Sequence, residues 1–197
     1  MIAGIVLAAG RSRRMGEPKA FLRLEGRSFL ERAIVALLQG GCGDVLVVAG
    51  PREDDTARRI AESALALGAR VAVNPAAGSE QVDSLRLALA AMRDDALAAI
   101  VAPVDVPEVS AATVHAIREA FARTGGPIVL PAHEGRHGHP VLFSRAVWPE
   151  LLEGELPEGA RTVIHAHAAE LVEIPVGALP LDVDTPADFR RLAEGAG

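Results

Sequence analysis

The start of the chain joins a short apolar run to a basic loop: it reads Ile2-Ala3-Gly4-Ile5-Val6-Leu7-Ala8-Ala9-Gly10-Arg11-Ser12-Arg13-Arg14-Met15-Gly16-Glu17-Pro18-Lys19. The continuous apolar character of residues 2–7 is typical of a strand that is covered on both faces in a parallel sheet. The polar residues 8–19 then predict a loop at the carboxyl end of that strand. Open α/β sheets bind their ligands at this end, so the loop is the first candidate for a site.

The same alternation of short apolar runs and amphipathic stretches continues along the chain. Strands are predicted at 2–7, 45–49, 70–73, 97–102, 128–130, 141–143 and 171–176, and helices at 28–39, 53–67, 82–93, 110–123, 145–152 and 186–194. This β-α-β-α order predicts an α/β fold of three layers, α/β/α, around a mostly parallel, Rossmann-like sheet. Because no linker rich in proline, glycine or serine interrupts it, we expect a single domain over residues 1–197.

The composition is that of a globular protein, with 50% apolar and 23% charged residues. A single cysteine, Cys42, excludes a disulfide framework and a multi-cysteine zinc site, and we expect it to be an inert apolar side chain. We expect no secretory leader, because the first residues carry no basic segment, and no membrane span, because charges, glycine or proline interrupt every apolar run. A cytoplasmic location is therefore expected.

The charge is distributed unevenly. The net charge of −6 disfavours a general nucleic-acid binder, yet residues 1–32 carry +4. Lys19 is the only lysine among 20 basic residues and lies in this cationic segment. Such a segment in an acidic protein indicates a small anionic ligand.

The loop 7–19 has the chemistry of a phosphate cradle. It contains neither a Walker A motif nor the three glycines of a dinucleotide fingerprint. Its small residues let a nucleotide approach the backbone, and Arg14 and Lys19 supply positive charge, lysine as a compact point charge on a thin stem. The alternative interpretation is a solvated basic loop without a ligand.

The pattern Leu-Ala-Ala-Gly-x-Ser-x-Arg-Met-Gly-x-Pro-Lys at 7–19 resembles the signature loop of nucleotidyltransferases with the GT-A-like fold, above all the molybdenum-cofactor cytidylyl- and guanylyltransferases. Further segments at 78–85, 103–107, 135–141 and 181–186 resemble, in order, the base-contacting, metal-binding, acceptor-side and closing motifs of that family. The resemblance implies catalytic roles for Lys19, Arg14 and Asp105. It implies nucleotide contacts from Leu7, Ala8, Ala9, Gly10, Arg11, Gly16, Gly78 and Ser84, and acceptor contacts from His139 and Pro140.

Two aspartates are the candidate ligands for Mg²⁺. Asp105 follows the buried strand 97–102, where a carboxylate can hold the ion beside a triphosphate; its alternative role is in a turn between two prolines. Thr185 and Asp188 have the spacing of a capping box, which leaves Asp184 without a capping role. The resemblance makes Asp184 the second metal ligand. Capping by Asp184 itself stays open, and Asp182 is a weaker candidate ligand.

The resemblance implies transfer of a nucleotide from an NTP to a molybdopterin acceptor, with release of pyrophosphate. Ala9 favours CTP as the NTP, and a molybdoenzyme is the candidate client. GTP remains an alternative, because Pro103-Val104-Asp105-Val106-Pro107 matches neither branch of the family fully. A sugar-phosphate acceptor and a non-catalytic, nucleotide-binding cofactor chaperone are further alternatives. No nucleic acid or membrane partner is expected. For Ser84, a helix-start hydroxyl without a ligand is an equal alternative.

Overall fold

The computed structural model of the protein describes residues 1–10, 17–76 and 78–195. Strand β1 (Ile2–Leu7) lies inside its main β-sheet, as the apolar run predicts. The other strands among the described residues are β2 (Arg23–Leu24), β3 (Arg27–Ser28), β4 (Asp44–Ala49), β5 (Arg70–Val73), β6 (Ala98–Pro103), β7 (Ile128–His133), β8 (Arg136–His137), β9 (Val141–Ser144) and β10 (Leu171–Pro175). The α-helices there are α1 (Phe29–Gln39), α2 (Asp55–Ala66), α3 (Gln81–Ala90), α4 (Ala111–Thr124), α5 (Trp148–Glu153), α6 (Ala160–Ala166) and α7 (Pro186–Gly195).

The main sheet runs in the order β10-β7-β9-β6-β1-β4-β5, with β8 paired to β7. The pairs β1–β4, β1–β6, β4–β5 and β7–β10 are parallel. Strand β9 lies antiparallel between β6 and β7. The short connection 134–140 explains this direction, because a parallel return needs a crossover of about a dozen residues or more. The mostly parallel sheet is confirmed, with β9 and the short β8 running the other way.

Helices cover both faces of the sheet, which confirms the three layers. Helices α1, α2, α4 and α7 pack on one face, and α3, α5 and α6 pack on the other. Successive residues of β1 serve the two cores in turn: Val6 packs with the first group and Ile5 with the second. Both side chains are fully buried, which is why the run is apolar throughout.

The predicted boundaries of the helices agree with the structure to within a few residues. Helix α1 begins at a capping box in which Ser28 Oγ accepts from the Glu31 backbone N–H at 3.1 Å and Glu31 accepts from the Ser28 N–H at 2.7 Å. The sequence analysis missed the β2–β3 hairpin and β8, which are too short to show a period. No helix among the described residues is long and apolar enough to cross a membrane. The single-domain organisation stays a prediction.

His167, at the end of α6, lies between two acidic side chains. Its ring nitrogens are 2.9 Å from Glu150 Oε1 and 3.0 Å from Glu170 Oε1. The hydrogen bond with Glu150, supported by Glu170, raises the pKa of His167 above its ordinary value of 6.5. A raised folded-state pKa stabilises the protein below the unfolded-state pKa, and the stabilisation disappears as the pH rises through the folded-state value.

We therefore expect His167→Gln to destabilise the protein at a pH of about 5.5 and to have little effect at about pH 9, where the imidazole is neutral in both states. Urea unfolding of the wild type and the variant at both pH values measures the difference. His165→Gln is the matched control, because that side chain is more exposed. An equal destabilisation at both pH values would contradict the ion-pair explanation.

Candidate active site

The candidate site lies at the carboxyl ends of β1 and β6, which are parallel neighbours. The Val104 N–H donates to the Leu7 carbonyl at 3.1 Å, so the two loops leave the sheet side by side. The Val183 N–H donates to the Asp105 carbonyl at 2.9 Å and fixes the segment before α7 against the loop after β6. These backbone bonds bring Asp184 beside Asp105.

Lys19 joins the two aspartates. Its Nζ lies 3.2 Å from Asp105 Oδ2 and 2.6 Å from Asp184 Oδ1. The lysine side chain is only 14% exposed, against 30% for Asp105 and 61% for Asp184. Burial lowers the pKa of Lys19, but the bonds and charges of Asp184 and Asp105 outweigh burial and raise it above its ordinary value. The ammonium group is therefore held charged between two carboxylates that the sequence separates from it by 86 and 165 positions.

Thr185, and not Asp184, caps α7. The Asp188 N–H donates to Thr185 Oγ1 at 3.2 Å, and the Thr185 N–H donates to Asp188 Oδ2 at 2.9 Å. The capping box predicted for this pair is confirmed, and the alternative that Asp184 is the cap is wrong. Asp182 lies two positions before Asp184. Burial raises the pKa of Asp182, the charges of Asp105 and Asp184 raise it further, and the charge of His139 opposes the shift.

A cleft of about 250 Å³ opens beside Lys19. Of the residues predicted for the site, it is lined by Leu7, Ala8, Ala9, Gly10, Lys19, Ser84 and Asp105. An adjoining hollow of about 310 Å³ shares Gly10 with it and is lined also by Gly78 and by Asp54, the N-cap of α2. The predicted phosphate contacts Arg11, Arg14 and Gly16 lie outside the described residues.

Ser79 and Ser84, at the start of α3, also line the cleft. Gly78 has a φ of +83°, a conformation in which a side chain would be strained. Ser84 is buried and accepts a hydrogen bond from the Asn74 side chain at 3.1 Å. Ser84 therefore does not satisfy the first backbone N–H groups of α3, the alternative role that the sequence suggested. The sequence analysis missed Asn74, although a polar residue directly after a predicted strand was the available signal.

His139 and Pro140 lie directly before β9. Burial lowers the pKa of His139, against the charges of Asp182 and Asp105, which raise it. His139 Nδ1 is buried without a hydrogen-bond partner in the described part of the chain. His139 thus lies within electrostatic reach of Asp105 and Asp182. The charge of Arg161 in α6 also lowers the pKa of His139. The sequence analysis did not identify this arginine.

Other polar residues have structural partners. Arg86 donates to the Leu151 and Gly154 carbonyls and ties α3 to α5, so it is not a solvated helix residue. Burial raises the pKa of the Cys42 thiol to about 12, which agrees with an inert side chain. His133 and His137 pair with the Val176 carbonyl and with Glu173. Over residues 1–10, 17–76 and 78–195, no three histidine, cysteine or acidic side chains are grouped to hold a metal by themselves.

Several curated proteins are similar to this chain. A probable molybdenum cofactor guanylyltransferase from Mycolicibacterium paratuberculosis is 32% identical over 98% of the chain and 95% of its own length. The molybdenum cofactor cytidylyltransferase of Escherichia coli K12 is 27% identical over 94% and 92%. A nicotine blue oxidoreductase from Paenarthrobacter nicotinovorans is 29% identical over 97% and 96%.

Solved structures agree with the fold and with the family. Rv0371c from Mycobacterium tuberculosis H37Rv superposes with a TM-score of 0.84 at 33% identity, covering 98% of this chain and 97% of that one. A complex of Rv0371c with manganese gives a TM-score of 0.78 at 30% identity and the same coverage. The model of the MobA-like NTP transferase domain matches residues 4–171. With this match, and with a relative 32% identical over nearly the whole chain, the protein belongs to the MobA-like NTP transferase family.

Proposed function

We propose that this protein transfers a nucleoside monophosphate from an NTP to a phosphate-bearing acceptor and releases pyrophosphate. The observation that carries the proposal is the Lys19 ammonium between Asp105 and Asp184 at the wall of a cleft of about 250 Å³. An acceptor phosphate is already anionic, so the reaction needs no general base. The protein has mainly to align two anions and neutralise the charge that develops between them.

The residues divide this task between them. Lys19 is proposed to contact the α-phosphate and stabilise its charge in the transition state. The backbone of residues 8–10 lines the wall on which base and ribose would rest. Arg14 and the rest of the loop up to Gly16 are proposed to hold the departing pyrophosphate. His139 and Pro140 are proposed to face the acceptor from the other side of Asp105.

The two aspartates fit a divalent cation. Both carboxylates already face one positive charge, the Lys19 ammonium, which stands in for a cation between them. Mg²⁺ is usually held by one or two carboxylates together with substrate phosphates and water, so a site without three protein ligands suits it. Asp105 and Asp184 would hold the ion, which when bound neutralises phosphate charge. The manganese complex of the similar Rv0371c supports a divalent ion, and Mg²⁺ is our proposal for its identity.

The proposed acceptor is molybdopterin, because two relatives that cover almost the whole chain are molybdenum cofactor nucleotidyltransferases. CTP is the proposed donor on the basis of Ala9, and GTP is the alternative, since one relative carries each name. A molybdoenzyme is the proposed client for the product.

Pyrophosphate release tests the proposal. We expect release with CTP or GTP only when both molybdopterin and Mg²⁺ are present, and much less with ATP or UTP. Omission of the acceptor is the matched control, because simple NTP hydrolysis would continue without it. Tight nucleotide binding that is indifferent to Mg²⁺, without pyrophosphate release, would instead favour a cofactor chaperone.

The nicotine blue oxidoreductase among the relatives makes an oxidoreductase the second candidate. The absence of a three-glycine dinucleotide fingerprint from the sequence disfavours it. Nicotinamide cofactor binding under conditions where no NTP binds would favour this candidate over nucleotidyl transfer.

A further inference from the structure

Asn74 is a buried side chain directly after β5 that contacts two serines of the cleft wall, Ser79 and Ser84. Its Oδ1 accepts from the Ala76 backbone N–H at 3.0 Å. Its Nδ2 donates to Ser79 Oγ at 2.9 Å and to Ser84 Oγ at 3.1 Å. The Asn74 backbone N–H donates to the Ala49 carbonyl at 2.9 Å, so the carboxamide is anchored to the sheet.

The orientation of this carboxamide is determined chemically. A backbone N–H can only donate, so the atom that faces Ala76 must be the oxygen. The amino group therefore faces the two serines, and both of its protons are used on them. Each serine oxygen acts as an acceptor towards Asn74.

This arrangement leaves each hydroxyl with its own proton to donate. A hydroxyl has one donor and two acceptor positions, and Asn74 occupies an acceptor position in both serines. In the part of the chain that the structure describes, neither hydroxyl has a second hydrogen-bond partner. Ser79 and Ser84 both line the cleft that also contains Lys19 and Asp105. The cleft wall therefore contains two neighbouring hydroxyls whose protons are available to donate to a ligand.

We propose that Asn74 determines base specificity by fixing Ser79 and Ser84 as donors, so that the cleft selects a base edge with two adjacent acceptors. This inference rests on the proposed nucleotidyl transfer. Cytosine has such a pair in O2 and N3, and guanine in O6 and N7. Adenine places its amino group beside N7 and N1, and uracil places N3–H between its two carbonyl oxygens. Asn74 is a positioning residue, because it acts on the base through the two serines.

The near-isosteric variant Asn74→Asp tests this role. One carboxylate oxygen can still accept from the Ala76 N–H, whereas the other can only accept, so the serine protons turn towards it and away from the cleft. The added negative charge weakens binding of all four NTPs alike, so it does not change the ratio of kcat/KM between one NTP and another. We expect the wild type to favour CTP and GTP over ATP and UTP in kcat/KM, and the variant to reduce that ratio about 10-fold through KM, by the loss of about one to two hydrogen bonds.

The double variant Ser79→Ala/Ser84→Ala provides the matched control. It should lose the same discrimination, and adding Asn74→Asp to it should change the ratio no further, since the hydroxyls through which Asn74 acts are absent. If Asn74 has only a structural role, Asn74→Asp should lower the melting temperature and weaken the binding of all four nucleotides equally, and the ratio should stay unchanged.

The outcomes separate this inference from the proposed function. A folded Asn74→Asp variant with the wild-type ratio would overturn it, as would a wild type that turns over all four nucleotides equally. If the wild type releases no pyrophosphate with any acceptor, the proposed function fails. The same ratios, measured as Kd by calorimetry with the four NTPs, then decide the role of Asn74.

Discussion

Replacing Lys19 with alanine is expected to lower turnover about 10²- to 10³-fold, the loss that typically follows removal of one preorganised contact to developing charge. The ammonium lies between Asp105 and Asp184, where the transferred phosphate and its counter-ion are proposed to meet. Steady-state pyrophosphate release by the purified variant measures the effect. Circular dichroism and the melting temperature establish whether the fold is intact.

Two variants make this experiment specific. Lys19→Arg keeps the charge but replaces a compact point charge by a planar fork, so we expect only partial activity. Arg190→Ala removes a positive charge from the exposed face of α7 and should leave turnover unchanged. Wild-type turnover in a folded Lys19→Ala variant would refute the proposed role of the lysine.

Replacing Asp105 or Asp184 with asparagine is expected to lower turnover by about 10²-fold or more, because each change removes one of the two charges proposed to hold the divalent ion. Asparagine keeps the shape of the side chain, so the Val183 N–H can still donate to the carbonyl of residue 105. Turnover as a function of Mg²⁺ concentration measures the change. Both variants should need more Mg²⁺ for half-maximal rate.

Asp182→Asn is the matched control for Asp184→Asn, because the two residues lie two positions apart in the same segment. Asp182 makes no contact with Lys19 among the hydrogen bonds of the described residues, whereas Asp184 lies 2.6 Å from Nζ. We expect the effect at 182 to be the smaller one. A larger loss at 182 than at 184 would exchange their proposed roles.

The fold could be predicted from the sequence because its signals are local. Continuous apolar runs such as residues 2–7, and the Ser28–Glu31 capping box, arise from interactions within a few residues. The direction of β9 could not be deduced from its composition, because a buried strand is apolar whichever way it runs. Its direction follows from the short connection 134–140.

The parts of the candidate site that could be predicted are charged residues in the loops after a predicted strand, where a purely structural role is less common. Lys19 and Asp105 stood out by chemistry and by position after strands, and the structure brings them together. Asn74 was missed because a buried carboxamide acts through partners that lie beyond it in the chain. The contacts of Arg86 could not be predicted either, because the two carbonyls that hold it belong to a segment about 65 residues away.

The hydrogen bond between Val183 and Asp105 has a consequence for protein synthesis. Most of the cleft wall comes from the first half of the chain and could assemble while the ribosome is still translating. The second aspartate arrives only with residues 181–185. The pair of aspartates around Lys19 is therefore complete only when the last part of the chain has been synthesised.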